Sequence, residues 1–169
     1  MQARLVDTNV LIVASAADAG SPFRAESTPI EEAALRQQVL DWLEAFETDA
    51  TRHAVLDVDW HVCGEYRHKL TEQDYGWLAM MHKMDRGEVV WVDVLLDKNG
   101  NEVLPPELAA AVTDLADRKM VAAALAGMLF ARSLASAIVV GCVVGLGYSG
   151  VMATIDLIVQ LDLQTSTVN

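Results

Sequence analysis

Three places in this 169-residue chain set carboxylates where they could hold a cation. Asp7 follows the apolar Leu5-Val6 and precedes Thr8 and Asn9. It reads equally well as an Asx turn or helix N-cap and as a ligand presented at the carboxyl end of a strand. Asp114 and Asp117 head an Ala-rich helix. Capping and the helix dipole account for them there, or else one or both reach the same cation as Asp7. Arg118 and Lys119 beside them make a small positive patch suited to a phosphate. Glu65 stands four residues before Lys69, and its plain reading is a solvent-facing ion pair at that spacing. His61, Glu65 and His68 also share a helical face at i, i+4, i+7, a conceivable zinc site, although the HExxH spacing is absent.

The elements that must carry these residues alternate between strand and helix. Leu5-Val6 closes a first buried strand, and the segment from Val10 opens a short helix. Thr28-Pro29-Ile30-Glu31 has the form of a capping box with Pro at the first helical position, so a helix is predicted from there to about Glu47. Leu35, Val39, Trp42, Leu43 and Phe46 fall on its apolar face. His53–Val58 reads as a second strand, Trp60–Leu70 as a helix, and Thr71–Asp74 as the cap of a further helix ending near Gly87. Val89–Leu96 reads as a third strand, Lys98–Asn101 as a turn, and Leu115–Arg132 as a helix capped by Thr113 or Asp114. Ala137–Val144 and the stretch from Asp156 are two more candidate strands. This alternation predicts a single α/β domain over residues 1–169, with a parallel sheet, helices on both faces and chemistry at the carboxyl ends of the strands.

Read together, the acidic segments resemble the PIN-domain nuclease family, including the toxin subunits of VapBC-type toxin–antitoxin pairs. Leu5-Val-Asp-Thr-Asn-Val-Leu-Ile12 is similar to the family's opening motif, and Val62-Cys-Gly-Glu65-Tyr-Arg to its second acidic position. Asp114-Leu-Ala-Asp117-Arg-Lys-Met-Val-Ala-Ala-Ala-Leu125 is similar to its third motif, and the resemblance spans about residues 3–132. It implies a three-layer α/β/α sandwich around a central parallel sheet. It implies a metal-dependent endoribonuclease in which Asp7, Glu65 and Asp117 are catalytic ligands, Asp114 an auxiliary acid, and Thr8 and Asn9 orient the ligands from behind. Mg2+ or Mn2+ suits such oxygen-rich sites. An RNA substrate, a basic antitoxin protein and a homodimer are the partners it implies.

The family's next strand ends in acidic residues. Here Ala137–Val144 runs into Gly145 and Leu146 without one, and residues 133–169 form a divergent C-terminal segment. A weakened or non-cutting PIN-like binding module is therefore the alternative expectation. Composition agrees with a core-forming globular chain at 53% hydrophobic residues, yet the net charge of −12 is a poor footprint for a surface that grips nucleic acid. RNA must then be held through a local basic patch, bridging metal ions or a partner, and the excess acid suits a basic partner segment. Cys63 and Cys142 form no CxxC pair, and the first residues lack the apolar stretch of a signal peptide, so the cytoplasm is the expected compartment. Residues 133–155 carry no charge and include Gly141 and Gly145 in GxxxG spacing. Their β-branched and glycine content favours strand and turn over a membrane span.

Overall fold

A computed structural model describes residues 2–28, 30–133, 140–144 and 155–159. Three short strands, β1 (Gln2–Arg4), β2 (Arg52–Asp57) and β3 (Val89–Val92), form a parallel sheet in the order β1-β2-β3. The register sets Ala3 beside His53 and Leu56 beside Trp91. Ala54, Val55, Leu56 and Asp57 are buried in succession, so both faces of the central strand are covered, as a parallel sheet requires.

The helices are α1 (Thr8–Ala17), α2 (Ala33–Thr48), α3 (His61–Lys69), α4 (Tyr75–Asp85), α5 (Pro106–Ala111) and α6 (Leu115–Ser133). α1 buries Val10, Leu11, Val13 and Ala14, because it lies against α2, α3 and α4 at once. The contact with α4 is close. The Gly76 N–H donates to Ser15 Oγ at 2.8 Å, and a Cβ on Gly76 would come 2.5 Å from the Leu11 carbonyl oxygen. α6 packs on β2 and β3, with Gly127 facing Val55. Strands β4 (Val140–Val144) and β5 (Ile155–Val159) form a separate antiparallel pair, and β4 runs close to β1 and α6.

Several expectations shift. The capping box at Thr28 does not start α2. Thr28 Oγ1 accepts from the Ile30 N–H and donates to the Ile30 carbonyl, a local turn that leaves the helix to begin at Ala33. Of the expected apolar face of α2, Leu43 and Phe46 are buried with Leu40, while Leu35 and Trp42 are exposed; the Trp42 ring stacks on Phe46 with centroids 5.6 Å apart. β3 stops at Val92 rather than Leu96, since Leu96 pairs instead with Glu102 in a hairpin turning at Gly100, whose φ is 80°. α5 was hidden behind Pro105-Pro106, which starts a helix with Pro at its first position. The strands expected at Ala137–Val144 and from Asp156 are described at β4 and β5, and their antiparallel pairing departs from the parallel expectation. Residues 134–139, 145–154 and 160–169 lie outside the described residues, and with them most of the uncharged run and Gly145. Among the described residues no helix is long and apolar enough to cross a membrane.

Candidate active site

Because β1, β2 and β3 are parallel, their carboxyl ends share one edge of the sheet, and each end leads to an acid: Asp7 beyond β1, Asp57 closing β2, and Asp93 after β3. Asp7 has extended backbone, and its Oδ1 accepts from the Asn9 N–H at 3.1 Å, capping α1. Thr8 is buried, and its Oγ1 has no hydrogen-bond partner among the described residues. Asn9 is exposed.

Asp57 is 1% exposed and is committed to structure, accepting from the His61 and Val62 N–H groups at 2.8 Å each. That double cap fixes the start of α3 against β2. The next residue of the helix to be anchored is Tyr66, whose hydroxyl donates to the Val6 carbonyl at 2.5 Å. Glu65, beside Tyr66, is thereby carried on a helix tied to the residue immediately before Asp7.

α6 closes the other side. Asp117 lies in its first turn, and α6 packs against α3. Partial burial of the Asp117 carboxyl, followed by the charges of Asp114 and Glu65, raises its pKa above the ordinary value. Asp117 therefore lies close enough to Asp114 and Glu65 to feel both charges. Lys119 answers part of that charge, with Nζ 3.6 Å from Glu65 Oε2. Arg118 is used differently from the phosphate ligand the sequence suggested. Its guanidinium donates to the Val112 and Ala109 carbonyls at 2.8 and 3.0 Å, fastening the end of α5 to α6.

The structure thus brings Glu65, Asp114, Asp117 and Lys119 into one neighbourhood, with Asp7 joined to it through the Val6–Tyr66 bond. Among the described residues no three His, Cys, Asp or Glu side chains form a group that could hold a metal ion as they stand, and this covers His61, Glu65 and His68 as well. The donor chemistry of the acidic cluster nonetheless suits a hard cation: every ligand is oxygen, and an unpartnered hydroxyl, Thr8 Oγ1, stands next to Asp7. Burial, then the charge of Asp57, pushes the Cys63 thiol up to about 12, so it is no nucleophile.

Sequence reasoning passed over the neighbouring Asp57 and Glu102, and set His61 with Glu65 and His68 instead. His61 Nδ1 lies 3.5 Å from Asp57 Oδ2 and 3.9 Å from Glu102 Oε1, both carboxylates being buried. Asp57 was detectable, for it closes an apolar strand as Asp7 does. Glu102 was not, because only the 96–102 hairpin returns it to α3.

Fold and edge cluster define a mixed α/β protein with a parallel sheet and an acidic group at the strands' carboxyl edge. No protein family, curated protein or solved structure matches the chain.

Proposed function

We propose that the chain is a metal-dependent endoribonuclease of the PIN type, hydrolysing RNA phosphodiester bonds at Glu65, Asp114 and Asp117 together with Asp7. The packing of α6 on α3, which sets Lys119 3.6 Å from Glu65 and brings the charge of Glu65 to bear on Asp117, carries this reading. Clustered carboxylates that repel are what a divalent cation neutralises, and perturbed acids gather at functional sites. When bound, Mg2+ or Mn2+ would acidify a water and stabilise charge on the scissile phosphate.

The chain's own residues do the rest. The Asn9 N–H holds Asp7 in its orientation. The Asp57 cap and the Tyr66 bond hold α3, and so Glu65, against the end of β1. Lys119 is the cation available to a phosphate once it leaves Glu65. RNA as substrate, a basic antitoxin as partner, a homodimer and a cytoplasmic setting belong to the same proposal.

A second reading, a PIN-like module that binds without cutting, is favoured by the Lys119–Glu65 ion pair, which places an ammonium where a metal ligand is needed. Purified protein given RNA with and without Mg2+ separates the two. Cleavage that requires Mg2+, rises with pH as Asp117 ionises, and vanishes in Asp117→Asn supports the nuclease. RNA left intact by a folded protein at every metal concentration supports the module.

A further inference from the structure

Beyond the carboxyl ends of β2 and β3 lies an apolar surface that the nuclease reading does not use. Val58, Trp60, Trp91, Leu95 and Val103 are exposed by 48, 50, 41, 73 and 49%. Local bonds hold them together. The Trp60 and Trp91 rings lie 5.8 Å apart at 45°, the Val58 N–H donates to the Val92 carbonyl, and the Val103 N–H donates to the Leu95 carbonyl. Glu102, next to Val103, comes back to His61, next to Trp60. Exposed aromatic groupings of this kind mark interaction sites rather than ordinary surface.

Trp60 adds a second, independent sign. Its φ is 66°, the sole positive value at a non-glycine residue among the described residues. A bulky side chain in the left-handed region is strained, and such strain persists where the surroundings enforce it for use. Here the Asp57 cap enforces it, taking the two N–H groups that follow Trp60 and leaving the indole half in solvent.

Charge identifies the occupant. Across residues 57–61 and 91–103, the exposed acids Asp59, Asp93 and Asp97 stand against Lys98 as the one Lys or Arg, and the whole chain carries −12. Such a rim repels a polyphosphate, whose affinity comes from Lys and Arg, and it repels a second copy of this chain. Among the described residues β3 is also the outer strand of its sheet, a position suited to strand addition. We infer that the Trp60–Trp91 surface along β3 docks a basic, extended peptide segment of a partner protein, with apolar anchors set on the paired indoles and Lys or Arg against the acidic rim. This goes beyond the nuclease reading and stands without it.

The test uses the full chain and a short labelled peptide of alternating Lys and Leu, followed by fluorescence anisotropy. Trp60→Gly suits a left-handed backbone and removes the indole without new strain, and Trp91→Ala changes an exposed side chain, so both should fold. Each is expected to weaken peptide binding by about tenfold or more, as loss of an interface anchor does. Binding should also fall as salt is raised, while Asp7→Asn should bind like the parent. The inference is overturned if the peptide fails to bind, if both Trp variants bind it as the parent does, or if a Glu-Leu peptide binds equally well. It is overturned too if oligouridylate binds this surface in a Trp60-dependent way, which would make it an RNA stacking platform, or if the parent dimerises through it and Trp91→Ala does not.

Discussion

Asp117 holds a proton more tightly in the fold than in the unfolded chain, owing first to burial and then to Asp114 and Glu65. A folded pKa above the unfolded one means that this stabilisation is fully present at acid pH and is lost as pH rises through the folded pKa. At neutral pH the ionised Asp117 is therefore a burden on the metal-free protein. Asp117→Asn should raise the Tm at pH 7, and the gain should close as pH falls below the ordinary carboxylate range. Thermal unfolding at the two pH values checks this, and a variant less stable at both would deny the repulsion. Lys83 poses the opposite case. It is wholly buried, 2.8 Å from Glu88 Oε2 and from the Asp49 carbonyl, with Nζ 5.0 Å from the Phe46 ring centroid. Lys83→Met should cost about 3 kcal/mol in urea unfolding, the cost of breaking a buried pair, although Arg86 Nε stays 3.2 Å from Glu88 Oε1. A loss too small to measure would show that Glu88 is satisfied without it. Asp7, Asp114 and Asp117 stood out in the sequence because acids at a strand end and a helix start announce themselves, whereas Glu65, in the middle of α3, was picked out only through the family resemblance. Lys83 was not, since its counter-charges arrive from the chain after α2 and from the start of β3.

Elements show the same division. α1, α3, α4 and α6 were readable because apolar periodicity and a flanking polar residue are both local. The start of α2 was misread because Thr28 spends its hydroxyl on a turn with Ile30, an alternative that a capping box cannot exclude. The end of β3 was misread because Leu95 and Leu96 continue the apolar run but belong to a hairpin. Gly76 carries no local signal inside α4, and its role exists only in the packed state. A methyl group there would meet the Leu11 carbonyl oxygen at 2.5 Å and Leu11 Cβ at 2.7 Å. Gly76→Ala should force α4 away from α1 and cost about 2 kcal/mol, as overpacking typically does. Chemical denaturation measures that loss, and an unchanged midpoint would mean that the helices separate without cost.

At the scale of the whole molecule, the sheet gathers acids along one edge while the outer strand offers aromatic surface under an acidic rim. A chain at −12 needs help to hold a polyanion, and a cation at the Glu65–Asp114–Asp117 cluster would give it. β4 runs beside β1 and α6, where the resemblance placed a further acid, and its Val143 and Val144 contribute none. With so few carboxylates, metal affinity should be weak, on the order of millimolar. Titration of Mg2+ by calorimetry in buffers of different ionisation enthalpy, with RNA cleavage run on the same samples, tests the central claim most directly. The account predicts weak binding, accompanied by proton release only at acid pH where Asp117 still holds its proton, and it predicts that Asp7→Asn and Asp117→Asn lose binding and cleavage together. Cleavage by Asp7→Asn at the parent's rate, or cleavage that persists in EDTA, would contradict it.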